Sequence, residues 1–386
     1  MPPFLFALAL AAAAPPPCPC RNASWCVPAN VDVPVTRPEV FAFQVNTANW
    51  QFYPWDTLTT VALFGGSPPL EMVCHAHERG VRVVTGAPYP SVMLGNDTYL
   101  NDVFIPDMIA GVDAVFADGC NFDFEDPLTT SRAPLLTHVV ASTAAALKAH
   151  FGPAFQVSID VAWSPDCIDG RCYDYRGLAD ATDLSFVMAY DMRSQVFLPP
   201  GQPCLAGPNA PLPRIAAGLA NFTALGIPAS KLVLGTPWYG YVYPCLGADI
   251  APDARDCPIA SVPFRGANCS DAAGREYDYW QLVALAATSN ATTPVRRDAA
   301  DASLTFNFRG PPGLGGPGNP NATLYQVWFD DAATLGAKYA LAQRLGLRGV
   351  GMWNADTLAY GSPDPGVRAE TRAMWDEIGR LFTLAR

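Results

Sequence analysis

The segment Asp118-Gly119-Cys120-Asn121-Phe122-Asp123-Phe124-Glu125 alternates three apolar side chains (Cys120, Phe122, Phe124) with an amide and two carboxyls (Asn121, Asp123, Glu125). Successive side chains of a strand point to opposite faces. One face is therefore expected against a core, and the other carries every polar group. Asp123 and Glu125 are two residues apart on that face, which sets their Cα atoms roughly 6.5 Å apart. Two carboxyls this close in a poorly solvated cleft resist ionising together, so one of them is raised. Glycoside hydrolysis uses such an asymmetry, with one carboxyl kept protonated as acid and its partner kept ionised. An isolated Asp-x-Glu is more often a structural hydrogen-bond network or a strand-end metal site. The full alternation weighs against that, because burying three polar groups to no purpose is costly.

Such a strand needs neighbours. Other β-rich runs occur at 40–45, 59–64, 81–85, 156–163, 184–190, 232–235 and 349–353, which with 119–125 makes eight. Helical patterns lie between or after them at 135–149 (Leu135, Val139, Leu147), 213–225, 334–345 and 368–384. Pro213 suits a first helical turn, where no N–H is needed. Eight strands with helical crossovers predict an α/β fold, a (β/α)8 TIM barrel. The carboxyls then project into its C-terminal mouth, where such barrels do their chemistry. More chain separates strands seven and eight than one helix needs. An insertion at about 241–330 on the active face is expected, with the Pro/Gly-rich run 310–320 as a mobile loop tip.

The rest of the composition excludes more than it selects. A formal charge of -11 over 386 residues repels phosphate backbones and anionic headgroups, so neither nucleic acid nor a membrane surface is an expected partner. A neutral oligosaccharide fits. Residues 1–14 read as a signal peptide, with an apolar run from Phe4 to Ala14 ahead of Pro15, Pro16 and Pro17. A Cys-rich segment, 15–38, follows, and 39–386 forms the catalytic domain. There are 11 cysteines and six Asn-x-Ser/Thr sequons, at Asn22, Asn96, Asn221, Asn268, Asn290 and Asn321, which suits an oxidising compartment. The odd count leaves one thiol over in a monomer. Cys120, inside a buried strand, is the candidate. Cys167 and Cys172 could close a short loop, while Cys245, Cys257 and Cys269 share one irregular region. His75 and His77 flank Ala76 near Cys74 but lack the second ligand cluster that zinc requires. With no phosphate loop or dinucleotide fingerprint either, no metal and no cofactor are expected.

The acidic segment resembles the signature of glycoside hydrolase family 18, Asp-Gly-x-Asp-x-Asp-x-Glu, at the end of the fourth barrel strand. It departs at Asn121, which cannot ionise as the family's Asp does. Met188-Ala189-Tyr190-Asp191 is similar to the family's Met-x-Tyr-Asp on strand six. Thr236-Pro237-Trp238-Tyr239-Gly240 resembles its strand-seven segment, and Gly351-Met352-Trp353 its strand-eight tryptophan. Ala162-Trp163-Ser164-Pro165, Pro263-Phe264-Arg265-Gly266 and Cys269-Ser270-Asp271-Ala272-Ala273-Gly274-Arg275 are closer to one branch of the family, which also carries the Asn. The resemblance implies substrate-assisted retaining hydrolysis, with Glu125 as acid and base, Asp123 orienting the sugar's acetamido group, and Tyr190 donating to its oxygen. It implies substrate contacts from Asn121, Met188, Asp191, Tyr239, Trp353 and Trp163, with Trp238 a further aromatic at the mouth. The partner would be an oligosaccharide containing N-acetylglucosamine, met by a single chain in the lysosome or after secretion. The branch implies action at the reducing end of freed N-glycan cores. Chitinase or endo-acting chemistry is the alternative, as is a non-catalytic glycan binder. Binders of that kind lose the acid, and Glu125 is present.

Overall fold

The computed structural model describes residues 17–31, 37–66, 68–247 and 250–382. The expected signal peptide lies outside them. Seven strands come first: β1 (Glu39–Gln44), β2 (Thr60–Leu63), β3 (Arg82–Gly86), β4 (Gly119–Phe122), β5 (Gln156–Ala162), β6 (Leu184–Met188) and β7 (Leu232–Pro237). Five more, β8 (Tyr239–Pro244), β9 (Arg275–Asp278), β10 (Arg296–Asp298), β11 (Ser303–Arg309) and β12 (Leu324–Phe329), belong to the insertion, and β13 (Gly349–Trp353) returns. Strands β1 to β7 and β13 close into a parallel barrel in the order β1-β13-β7-β6-β5-β4-β3-β2. This is the (β/α)8 barrel that the strand count predicts.

The barrel forms because its strands alternate correctly. In β5, Val157, Ile159 and Val161 are buried towards the helical layer, while Gln156, Ser158 and Asp160 occupy the alternate positions. The helix Ala133–Phe151 between β4 and β5 buries Leu136, Val139, Val140 and Leu147, a stripe at helical spacing. It ends at Gly152, whose φ of 103° an L side chain rarely adopts. Inside the barrel, Phe41, Phe43 and Phe186 pack with ring centroids 5.0 to 5.4 Å apart. Cys120 is buried and unpaired, and burial pushes its thiol up.

The end of the barrel opposite the mouth is tied down by paired charges. Glu39 is fully buried, accepts hydrogen bonds from the Thr59 and Thr60 hydroxyls at 2.5 Å each, and has Arg82 and Arg348 nitrogens at 3.5 Å. Asp118 accepts from the backbone N–H groups of Asn30, Val31 and Val83, and His77 Nε2 lies 2.9 Å from it. His77 Nδ1 is 2.6 Å from the Trp25 carbonyl oxygen. Burial opposes charge on this imidazole, but the hydrogen bond to Asp118 and its charge outweigh that and hold it above its ordinary value. The Cys-rich segment is thereby docked on the barrel, and the disulfides Cys18–Cys26 and Cys20–Cys74 fasten it. With Cys167–Cys172, Cys204–Cys269 and Cys245–Cys257 they make five among the described residues, as suits a secreted or lysosomal lumenal protein.

Between β7 and β13 the insertion folds as a five-stranded sheet in the order β10-β11-β12-β8-β9, with neighbouring strands antiparallel, and the helix Tyr279–Ala286 packs on it. Three expectations need correcting. The fourth strand stops at Phe122, so Asp123 and Glu125 stand just past its end rather than within it. The run 310–320 is docked rather than free: Tyr277 Oη donates to the Leu314 carbonyl at 2.7 Å and Asn319 Nδ2 to that of Cys245 at 3.1 Å. A Cβ at Gly316 would meet the Gly274 carbonyl oxygen at 1.9 Å, so this glycine permits the close approach. Trp238 is not at the mouth. It is fully buried in the helical layer, where its indole N–H donates to Tyr339 Oη at 3.3 Å.

Candidate active site

The C-terminal ends of β4, β5 and β6 converge on a cluster of carboxyls. Asn121, still within β4, donates from Nδ2 to Asp160 Oδ2 at 2.7 Å and accepts at Oδ1 from Ser158 Oγ at 2.6 Å. Asp123 follows on the same face. Its Oδ1 is buried with no hydrogen-bond partner, and burial, then the charge of Glu125, pushes its carboxyl up to about 7 against the opposing pull of Arg171. Asp160 is also buried, and burial together with the neighbouring Asp123 holds it well above the usual carboxylate range.

Glu125 reaches into solvent, its side chain 53% exposed. Its Oε2 is held by Arg171 Nη1 at 2.7 Å, and Arg171 Nη2 bonds Asp169 Oδ2 at 2.9 Å. Both come from the loop closed by Cys167–Cys172, and Arg265 of the insertion donates to the Asp169 carbonyl oxygen at 2.5 Å. Tyr190, beyond β6, is buried, and burial and the nearby Asp160 and Asp123 keep its hydroxyl protonated. Asp191 turns there through a left-handed φ of 49°, with its backbone N–H on Asn209 Oδ1 at 2.6 Å. Its Oδ1 accepts from Tyr239 Oη at 2.5 Å and Tyr241 Oη at 3.0 Å, and burial, then Glu276, pushes it up to about 7.

Two cavities meet this cluster. The larger, of about 590 Å³, is lined by Phe43, Phe64, Ala87, Asn121 and Asp123. The smaller, of about 220 Å³, is lined by Glu125, Trp163, Met188, Tyr190, Asp191 and Phe264. The expected residues are thus gathered at one mouth. Trp353 packs edge-on to Phe64 with centroids 4.6 Å apart and lies against Phe43, so it adjoins the larger cavity through two of its walls. Tyr239 reaches the site through Asp191, and Trp163 sits beneath the Arg214 guanidinium, 4.7 Å from its ring. An acid on the rim, a neighbour whose carboxyl is pushed up by burial, and a phenol suit proton transfer to a glycosidic oxygen.

Comparison with known proteins agrees. The model of glycosyl hydrolases family 18 matches residues 91–357. The chain belongs to this family. "Probable di-N-acetylchitobiase 2" of Dictyostelium discoideum is 42% identical over 92% of this chain and 89% of its own length. Di-N-acetylchitobiase of Rattus norvegicus is 38% identical, covering 88% of this chain and 87% of that protein, and the Homo sapiens protein of the same name is 36% identical over 88% and 83%. A class V chitinase from Nicotiana tobaccum has a TM-score of 0.65 over 89% of this chain and 99% of that one, at 17% identity, and so shares the fold. This family 18 chain is a glycosidase.

Sequence reasoning missed Asp160 and Arg171. Asp160 had a signal, since β5 repeats the inward polar alternation of β4 at Gln156, Ser158 and Asp160. Arg171 had none, because it comes from an irregular loop whose path the tertiary fold sets. In the other direction, Cys18, Cys20 and Cys26 lie close enough together to suggest a metal, but all three are in disulfides.

Proposed function

We propose that this family 18 glycosidase splits the β-1,4 bond of di-N-acetylchitobiose cores from N-glycans at their reducing end, by substrate-assisted retention, during lysosomal glycoprotein breakdown. The observation that carries this reading is the position of Asp123 and Glu125 at the junction of the two cavities. A disaccharide linkage laid across that junction has the sugar that is attacked at C1 in the larger cavity, with its acetamido group turned back to the junction between Asp123 and Tyr190. The leaving sugar lies in the smaller one, of about 220 Å³. The disulfide loop around Asp169 and the insertion residues Phe264 and Arg265 wall this smaller side, which favours a short reducing-end segment over a continuing chain.

Glu125 gives its proton to the glycosidic oxygen as the C–O bond breaks, and the sugar's own acetamido oxygen forms the new bond to C1. Asp123 accepts the amide N–H and faces the positive charge of the oxazolinium ion, while the Tyr190 hydroxyl donates to the acetamido oxygen. Water then attacks C1, Glu125 takes its proton, and the ring opens. Two inversions at C1 give net retention. Asp191 is a poor nucleophile, since burial, then Glu276, push its carboxyl up to about 7 and favour the protonated form. The acid-favouring carboxyls at the mouth and the five disulfides support a lysosomal setting.

The test is product analysis on N-acetylglucosamine oligomers labelled at either end, run beside the same core still attached to asparagine. Release of single N-acetylglucosamine from free reducing ends, with the asparagine-linked core resistant, is the expected result. Efficient cleavage of the attached core would favour endo-action. A thiazoline analogue of the oxazolinium ion should inhibit competitively, because it resembles the bound intermediate. An inverted first product would end the substrate-assisted account.

A further inference from the structure

Asn121 gives Asp123 no ionisable neighbour on the side that faces back into β4, yet Asp123 stands beside a carboxyl of the next strand. The parallel register pairs Asn121 with Ser158 and Phe122 with Ile159. Continued one step past the end of β4, this register would set Asp123 level with Asp160, roughly 5 Å apart between Cα atoms, and Asp123 is the charge that acts most strongly on Asp160. Asn121 fills the space between β4 and β5 with its amide, bonding Ser158 through its oxygen and Asp160 through its nitrogen. That leaves Asp160 Oδ1 buried with no hydrogen-bond partner, and Asp123 Oδ1 is in the same condition. Two adjacent buried carboxyls with one orphaned oxygen each are costly apart, and one proton between them would satisfy both.

We infer that Asp160 and Asp123 form a cross-strand proton-holding pair, in which Asp160 supplies from β5 the ionisable neighbour that Asn121 cannot be. Asp160 is a positioning residue here, acting through Asp123. The inference rests on the hydrolytic reading above. In the resting enzyme the pair carries one proton and one negative charge. When the acetamido group enters, Asp123 turns from Asp160 towards Glu125. Its O–H bond breaks as one forms on Glu125, which then protonates the leaving oxygen. The two negative charges are separated by the rotation, and the cationic intermediate lies against Asp123. After water has returned a proton to Glu125, the same step run backwards recharges the pair. The charged and titratable groups facing Asp160 are Asp123 and Glu125 from the end of β4 and Tyr190 from the end of β6, with Arg171 acting from the Glu125 side. Most of this surrounding charge is negative and therefore favours retaining the proton.

Asp160→Asn keeps the acceptor for Asn121 but holds no ionisable proton. Asp123 should then ionise more readily, so the alkaline limb of the kcat/KM profile should move down by about one pH unit, a roughly tenfold loss above that limb. The double variant Asn121→Asp/Asp160→Asn returns a carboxyl to the neighbourhood of Asp123 from β4 and should move the limb back. A purely structural role for Asp160 would leave the limb in place, and that result would overturn the inference. The wild-type protein supplies a readout without turnover: carboxyl 13C NMR of labelled aspartates should show two interacting groups, one still protonated near neutrality. Independent ionisation of both in the ordinary carboxylate range would refute the pair even if Asp160→Asn failed to fold. A protein inactive on chitobiose that still showed this titration would instead refute the hydrolytic reading alone.

Discussion

The two ends of the barrel handle buried acids in opposite ways. At the closed end, both oxygens of Glu39 and both of Asp118 have partners, from hydroxyls, guanidinium groups, backbone N–H and the His77 ring. At the mouth, Asp123, Asp160 and Asp271 each keep a buried oxygen with no partner, and burial is the first cause raising all three. A satisfied carboxylate fixes structure, because breaking its pairs leaves an uncompensated charge. An unsatisfied one stores free energy that a substrate or a proton can release, which is what a catalytic site needs. The same residue type therefore serves stability at one end and chemistry at the other, according to what surrounds it.

The largest expected effect breaks the mouth alone. Glu125→Gln should cut kcat by about 10²–10⁴-fold, the usual contribution of a positioned acid. Its melting temperature should stay near wild type, since the side chain is half exposed. Near-normal turnover in the folded variant would remove Glu125 as the acid. The reciprocal change breaks the closed end. Glu39→Gln leaves Arg82 and Arg348 without their carboxylate and should cost about 3–5 kcal/mol in denaturant unfolding. The activity of the protein that does fold should persist. A large loss of kcat with unchanged stability would contradict the division between the ends.

Asp123→Asn sharpens the contrast, because it should lower kcat while making the protein more stable at alkaline pH. In the folded state this carboxyl is raised to about 7, above its ordinary value of 3.8. The folded state then binds more protons than the unfolded chain between those values, so stability falls as pH rises through that window. Removing the group removes that part of the fall, and melting curves at pH 5 and pH 8 would read it. The same trend should be visible in the wild type itself. Asp123, Asp191 and Asp271, pushed up to about 7, 7 and 8, should together lower the melting temperature progressively from about pH 4 to pH 8. His77, held above its ordinary value, is charged and stabilising at low pH and loses that contribution as pH rises, so it adds to the trend from the closed end. A melting temperature that climbed steadily over this range would contradict the raised carboxyls.

Strand alternation, a short-range property, made much of this molecule readable from its residues. Short β-rich runs marked all eight barrel strands, and alternation within one of them marked the polar face of Asn121, Asp123 and Glu125 and the burial of Cys120. The same signal in β5 would have led to Asp160 had its inward positions been read as β4's were. Other features depend on contacts that no local pattern encodes. Trp238 looks like any aromatic at a strand end, and only the helix bearing Tyr339 makes it core. The glycines and prolines of 310–320 suggest a free tip, but Gly316 is needed because Gly274 lies directly beneath it. Arg171 reaches Glu125 because a disulfide and the insertion bend its loop over the mouth. The sequence by itself determined which residues could be acids and which face they leave from, since that follows from backbone geometry within one strand. Only the tertiary structure decided which of those acids were paired, because a carboxyl's protonation depends on the charges and hydrogen bonds brought to it from distant parts of the chain.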